Sequence, residues 1–249
     1  MPRANRHFLP NHIWHISHRC HRQEFLLKFA KDRQRWRYWL YQARKRFGLC
    51  VLNYIVTSNH IHLLVRDRGE GEIAESMQLI AGRVAQEYNR RKGRKGAFWE
   101  DRYHATAVDS EGYLARCMVY IDLNMVRAGV VSHPGEWAVC GYREIQHAPQ
   151  RYTVIDRLAL RELLGIQSNA GLSEQHAGWI ETAMANADYA HEPCWTQSLA
   201  VGGRDFLEAI RATPGSHGRY RDIEEQHGML AMRESPLDYR AGFGGESPL

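Results

Sequence analysis

The segment VTSNHIHLLV, residues 56–65, predicts a β-strand that carries two histidines one residue apart. Side chains alternate between the two faces of a strand, so His60 and His62 point to the same face. Ile61 and Leu63 then point the other way, toward a core. Two imidazoles about 6–7 Å apart on one face can converge on one metal ion. The segment therefore predicts a metal site on a strand of a sheet.

The flanking sequence predicts the order strand, helix, strand, strand, helix, strand, and then a further helix. The predicted strands are residues 13–20, 50–56, 59–66 and 103–108, and the predicted helices are residues 24–47, 72–91 and 111–127. A β-α-β-β-α-β core is the ferredoxin-like arrangement, an antiparallel sheet with helices on one face. The expected fold class is therefore α+β.

Charge divides the chain into two parts. Residues 1–150 hold 24 Lys/Arg and 14 Asp/Glu, which gives this part a net charge of +10. Residues 151–249 hold 9 Lys/Arg and 14 Asp/Glu, a net charge of −5, so the whole chain carries +5. We expect a polyanion-binding catalytic domain at 1–150 and a mainly helical extension at 151–249, with a mobile tail from Glu234. On charge alone, a solvated basic surface remains an alternative. The extension could pack on the core, take part in binding the polyanion or mediate oligomers.

Composition argues against several classes of protein. No run of about 18 apolar residues predicts a transmembrane helix, and no apolar segment of signal-peptide length follows the N-terminus. The five cysteines are scattered without a CxxC pair, which argues against a disulfide framework or a cysteine zinc site. The expectation is a cytoplasmic protein with no membrane partner.

A second group of candidate residues lies on the predicted helix at 111–127. Tyr120 and Asn124 are four residues apart and so share one helical face. Near the histidines, Asn124 Oδ1 could be a third metal ligand, and such a mixed nitrogen and oxygen set suits Mg²⁺ or Mn²⁺, with zinc still open. Arg116 and Arg127 lie on roughly the same face as Tyr120, where they could contact phosphates.

Three segments together resemble the HUH single-tyrosine transposases, in the form seen in REP-associated tyrosine transposases. They are NHIHLLV at 59–65, AFWEDRY at 97–103 and YIDLNMVRAG at 120–129. The resemblance covers about residues 8–147, and the joint order and spacing make it specific. Ser58 and Met125 stand where the family usually has proline, and neither departure removes a proposed catalytic group.

The resemblance implies a single-stranded DNA endonuclease and strand-transferase that acts on REP-like hairpins as a monomer or homodimer. It implies a metal held by His60, His62 and Asn124, and attack by Tyr120 on the scissile phosphate to give a 5′-phosphotyrosine. The alternative is a domesticated hairpin-binding protein that does not cut. A metal-dependent nucleotide hydrolase is less favoured, because no acidic general base accompanies the histidines.

Basic and aromatic residues supply the candidates for DNA contact. Those expected to contact phosphates are Arg90, Arg91, Lys92, Arg94, Lys95, Arg102, Arg116 and Arg127. Trp99, with Phe98 and Tyr103, is a candidate for stacking on unpaired bases. Three further histidines, His15, His18 and His104, could approach the site, and we expect each to be structural or DNA-contacting rather than a ligand.

Overall fold

The histidine strand lies inside a mixed sheet. A computed structural model of the chain describes residues 11–110, 112–213, 221–226 and 228–234. The strands in these residues are β1 (Ile13–Arg19), β2 (Cys50–Val56), β3 (His60–Arg66), β4 (His104–Val108), β5 (Ala200–Val201), β6 (Arg221–Gln226) and β7 (Met229–Glu234). They form one sheet in the order β2-β3-β1-β4-β5-β7-β6. The β4–β5 pair is parallel and the other pairs are antiparallel.

Helices cover both faces of this sheet. Those in the described part of the chain are α1 (Ala30–Phe47), α2 (Glu72–Lys92), α3 (Gly112–Asp122), α4 (Asn124–Arg127), α5 (Gly141–Gln146), α6 (Arg157–Leu164), α7 (Asn169–Ala185), α8 (Cys194–Gln197) and α9 (Arg204–Ala212). As predicted, α1 stops at Gly48, which adopts the left-handed conformation with φ 71° that glycine tolerates. No helix among the described residues is long and apolar enough to cross a membrane.

The N-terminal half confirms the ferredoxin-like prediction. Its four strands have the order β2-β3-β1-β4, and β3 is buried along most of its length. Helices α1 and α2 pack against each other, and Trp36 of α1 lies 6.4 Å from the ring of Tyr54 on the sheet face that Leu63 shares. Helix α3 lies on the opposite face, where Asn53 of β2 donates a hydrogen bond to Asp122 at 3.1 Å. The histidines of β3 point to this second face.

The extension is helical as predicted, and it also adds three strands to the sheet that the sequence did not predict. Strand β5 pairs with β4, so the sheet continues from the N-terminal part into the extension. Helix α7 packs on α3, with His176 hydrogen-bonded to Asp122 at 2.8 Å where both side chains are fully buried. The predicted mobile tail, apart from Glu234, lies outside the described residues.

Candidate active site

His60 and His62 lie at the end of β3, between β1 and β2. The register with β1 places His62 opposite Ser17 and His60 opposite Arg19. The two imidazole centroids are 4.9 Å apart, while Ile61 between them is fully buried on the other face. Strand alternation thus brings both rings to one face, as the spacing predicts.

Hydrogen bonds within the turn before β3 fix the ring of His60. Its Nδ1 lies 2.7 Å from Asn59 Oδ1 and 3.0 Å from Thr57 Oγ1. The Asn59 amide nitrogen donates to the Gln23 carbonyl at 3.3 Å, which leaves Oδ1 as the atom that faces His60. Because Oδ1 can only accept, His60 Nδ1 carries the proton and Nε2 keeps a lone pair.

A chain of two hydrogen bonds fixes the ring of His62. His15 Nδ1 lies 2.8 Å from the Trp195 carbonyl oxygen, and His15 Nε2 lies 2.9 Å from His62 Nδ1. A carbonyl only accepts, so His15 Nδ1 donates. If His15 is neutral, its Nε2 accepts from His62 Nδ1–H. His62 Nε2 then keeps a lone pair that points away from β1.

Burial keeps the three rings neutral at pH 7. Desolvation lowers the pKa of His15 to about 4 and, with help from Arg19 and Arg127, lowers the pKa of His60 to about 4. Desolvation also lowers the pKa of His62 well below its ordinary value, and the neighbouring rings lower it further. Neutral imidazoles are the form that binds metals.

Asn124 reaches the histidines from a helix that is interrupted. The single helix predicted at 111–127 is divided at Leu123, where ψ is 4°, into α3 and α4. Helical hydrogen bonding still crosses the break, because Leu123 N–H donates to the Val119 carbonyl at 3.0 Å and Arg127 N–H to the Leu123 carbonyl at 2.8 Å. Asn124 Nδ2 lies 3.2 Å from His62 Nε2, so the amide faces the lone pair of His62.

Tyr120 lies beside the same ring. Its ring centroid is 5.7 Å from that of His62, at an interplanar angle of 82°. The side chain is buried, and the Arg127 guanidinium lies 4.4 Å from its ring centroid. Burial raises the pKa of Tyr120 to about 12, and the positive charge of Arg127 opposes that rise. One chain therefore supplies both the histidines and the tyrosine.

A pocket of about 300 Å³ opens next to Tyr120, between α3, α4 and the extension. Two of the arginines predicted to contact phosphates, Arg116 and Arg127, line it, and both contact the extension. Arg116 donates to Glu192 at 2.5 Å, and Arg127 donates to the Tyr189 carbonyl at 3.1 Å. The extension thus reaches the immediate surroundings of the tyrosine.

The sequence of this region matches a known family. Residues 9–124 match the family described as "Transposase IS200 like", a range that contains His60, His62 and Tyr120 and ends at Asn124. This segment is similar to IS200-like transposases. The family match confirms the resemblance found in the sequence, and residues 125–249 lie outside it.

Two solved structures show what the fold is similar to. A REP-associated tyrosine transposase bound to a REP hairpin is 17% identical over 63% of this chain and 94% of that chain, with a TM-score of 0.50. A putative transposase from Deinococcus radiodurans is 16% identical over 48% of this chain and 95% of that chain, with a TM-score of 0.35. At 17% identity the likeness to the first structure concerns the fold alone. No protein with a curated description matches the sequence.

The remaining basic candidates lie at the end of α2 and beyond it. Arg90, Arg91, Lys92, Lys95 and Arg102 are exposed, and Arg94 is half-buried. Two of the arginines also form ion pairs, Arg91 with Asp32 and Arg94 with Glu24 at 3.6 Å. Their proposed DNA contacts stay predictions.

The aromatic candidates of the matched segment are packed into its structure. Phe98 is buried, and Trp99 is half-buried with its ring stacked on His18 at 4.1 Å. Trp99 also donates through Nε1 to the Ala81 carbonyl at 3.0 Å. Stacking of Trp99 on a base would therefore require it to exchange these contacts.

Sequence reasoning missed the link from the histidines to the extension. It placed His15 near the site, but the partner that orients it is the carbonyl of Trp195, which has no sequence signature. It also placed Phe25 and Phe29 in a helix, whereas α1 begins only at Ala30 and both side chains are exposed. Among the described residues, no group of three or more His, Cys, Asp or Glu is placed where it could hold a metal ion.

Proposed function

We propose that the protein is a metal-dependent single-stranded DNA endonuclease and strand-transferase that acts on REP-like hairpins. The observation that carries the proposal is the position of two neutral imidazoles, each with an Nε2 lone pair, beside Tyr120 in one chain. The match to IS200-like transposases supports the reaction class. The choice of a REP-like hairpin rests on the fold shared with the hairpin-bound REP-associated transposase.

The donor set fits a divalent cation. His60 Nε2 and His62 Nε2 have lone pairs available, and Asn124 already faces His62 Nε2 at 3.2 Å. A 180° rotation of the Asn124 side-chain amide would place Oδ1 at the position that Nδ2 occupies, on the side of His62 Nε2. Two imidazoles and an amide oxygen leave positions for phosphate oxygens on Mg²⁺ or Mn²⁺. When bound, such an ion would polarise the scissile phosphate as a Lewis acid.

Tyr120 would be the nucleophile. Its hydroxyl oxygen forms a bond to phosphorus while the bond from phosphorus to the 3′ oxygen breaks, which gives a 5′-phosphotyrosine and a free 3′-hydroxyl. The new bond is also a phosphodiester, so a 3′-hydroxyl can reverse the step without ATP. Because burial raises the pKa of Tyr120 to about 12, the phenolate is scarce at neutral pH and the charge of Arg127 helps to form it.

DNA would be held by the basic residues around this centre. Arg116 and Arg127 lie nearest to Tyr120, and each would exchange its contact with the extension for a phosphate oxygen. Farther along the bound DNA, we propose that Trp99 contacts a base. The residues proposed to contact phosphates there are Arg90, Arg91, Lys92, Arg94, Lys95 and Arg102. These contacts would make binding salt-dependent.

Incubation with Mn²⁺ and a 3′-end-labelled hairpin carrying single-stranded flanks tests the proposal, because the 5′-phosphotyrosine keeps the DNA on the 3′ side of the cut. We expect a covalent protein–DNA adduct that resists denaturing electrophoresis and is absent in Tyr120→Phe. Loss of the adduct in His62→Ala, with hairpin affinity retained, would assign the metal role. An adduct that persists in Tyr120→Phe would show that another residue is the nucleophile.

One observation favours the second candidate, a hairpin-binding protein that does not cut. Tyr120 is only 5% exposed, and the Arg127 guanidinium lies over its ring. A nucleophile must reach phosphorus, so this arrangement has to open before any reaction. Tight hairpin binding without an adduct under either Mg²⁺ or Mn²⁺ would select this candidate.

A further inference from the structure

Two exposed phenylalanines lie in the segment that joins β1 to α1. Phe25 is 65% exposed and Phe29 is 52% exposed, while Leu26 and Leu27 between them are buried. The Leu27 N–H donates to the Ser58 carbonyl at 2.9 Å, which anchors the segment. The backbone is thus fixed while the two aromatic rings face solvent.

This segment is attached to the turn that precedes the histidine strand. The backbone N–H of Cys20 donates to the backbone carbonyl of Asn59 at 2.7 Å. The side-chain nitrogen Nδ2 of Asn59 donates to the Gln23 carbonyl at 3.3 Å. The same Asn59 side chain accepts from His60 Nδ1 at 2.7 Å. The two phenylalanines therefore belong to a segment that is hydrogen-bonded to the turn leading into His60.

The surroundings of the two rings are basic. Lys92 Nζ lies 5.4 Å from the ring centroid of Phe29, and Arg94 pairs at 3.6 Å with Glu24, the residue before Phe25. Arg22, Lys28 and Lys31 are exposed basic residues nearby in sequence, and Lys95, next to Arg94, is exposed as well. Exposed aromatic rings beside Lys and Arg are the combination that binds single-stranded nucleic acid, since every base has a face to stack and every nucleotide a phosphate.

We propose that Phe25 and Phe29 form a stacking platform for unpaired bases of a single-stranded DNA segment next to His60. This inference deepens the proposed function and rests on it. Lys92 and its neighbours neutralise the phosphates of the same segment. The basic surroundings favour DNA over an apolar protein surface as the occupant.

Fluorescence anisotropy with a labelled oligothymidine of about 20 nucleotides measures the affinity for single-stranded DNA. This assay does not require the hairpin sequence to be known. We expect Phe25→Ala and Phe29→Ala each to weaken binding by about tenfold, the lower part of the range for loss of one stacked base. Phe25→Trp should retain the affinity. Leu158→Ala is the matched control, because Leu158 is 59% exposed on α6, and it should change nothing.

Salt dependence separates stacking from charge. The phenylalanine variants should shift affinity by the same factor at every salt concentration, whereas Lys92→Gln should reduce the slope of log K against log salt by about 0.7. A folded double variant, Phe25→Ala with Phe29→Ala, that binds oligothymidine like the wild type would overturn the platform. A wild-type dimer that this double variant converts to a monomer would also overturn it, since the rings would then form a subunit interface.

The adduct assay distinguishes failure of the stacking platform from failure of the proposed cleavage activity. If the wild type forms no adduct and the phenylalanine variants still lose affinity, the platform stands and the cleavage proposal fails. If the wild type forms the Tyr120 adduct and the variants bind normally, only the platform fails.

Discussion

Replacing His15 by phenylalanine keeps a planar ring but breaks the link between the extension and His62. Thr106 Oγ1 lies 3.1 Å from the Trp195 carbonyl and 2.8 Å from the Ser198 carbonyl, so its single hydroxyl proton is within reach of the Trp195 carbonyl when His15 is removed. The His62 Nδ1–H loses its acceptor in a fully buried position. An unsatisfied buried donor costs about 1–3 kcal/mol, and we expect the free energy of unfolding to fall by that amount.

The same change should weaken metal binding. Without His15, the proton of His62 is free to occupy Nε2, where it blocks ligation, and the ring is free to turn. Loss of such an outer hydrogen bond to a ligating histidine typically reduces metal affinity by about 10–100-fold, or about 1.4–2.7 kcal/mol. Isothermal titration of the folded protein with Mn²⁺ at pH 7 measures this change.

Thr106→Val is the matched control for His15→Phe. It removes a hydrogen bond to the same Trp195 carbonyl and makes no hydrogen bond to His62, so Mn²⁺ affinity should change by less than about twofold. The reasoning is refuted if His15→Phe, folded by circular dichroism, binds Mn²⁺ as tightly as the wild type. A purely structural role of His15 would lower only the unfolding free energy.

Three further predictions concern buried groups. His176→Ala removes the ring that hydrogen-bonds the fully buried Asp122 side chain at 2.8 Å and should lower the unfolding free energy in urea by about 1–3 kcal/mol. His133→Ala, whose contact with Glu181 is partly exposed, should lower it by less than about 1 kcal/mol, and equal losses would contradict a role for burial. Because burial raises the pKa of Tyr120 to about 12 and the phenolate is the nucleophile, single-turnover cleavage should rise about tenfold per pH unit between about pH 7 and 10, and a plateau within that range would exclude this assignment. Arg127→Gln removes the cation that lowers the pKa of Tyr120, so the cleavage rate at pH 8 should fall about tenfold, and an unchanged rate would exclude this role.

Local patterns predicted the core because its elements follow their own periodicities. Alternation around His60 and His62 specified β3 and its buried face, and the predicted strand and helix order matches the ferredoxin-like sheet. The paired position of Tyr120 and Asn124 followed from helical spacing, which survives the break at Leu123. These features depend on residues close in sequence, so sequence alone could predict them.

Features set by tertiary contacts could not be predicted in this way. Phe25 and Phe29 have helical spacing with the residues that follow, but Arg33 donates to the carbonyls of Leu27 and Lys28, so the chain before Ala30 forms a turn instead. The outer hairpin of β6 and β7 was also missed. Strand β6 has the sequence RDIEEQ, and its charged side chains suit an exposed edge strand. Because this sequence has no alternation of apolar and polar residues, it gives no strand signal.

The candidate site depends on both sides of the predicted boundary at residue 150. The orientation of His62 relies on the Trp195 carbonyl through His15, and the sheet itself continues from β4 into β5. A fragment that ends at 150 would lose this carbonyl and expose β4, so it should bind Mn²⁺ no more tightly than His15→Phe. The charge change at 150 therefore marks a difference in surface composition, whereas the hydrogen bonds that orient His62, a proposed metal ligand, include a carbonyl of the extension.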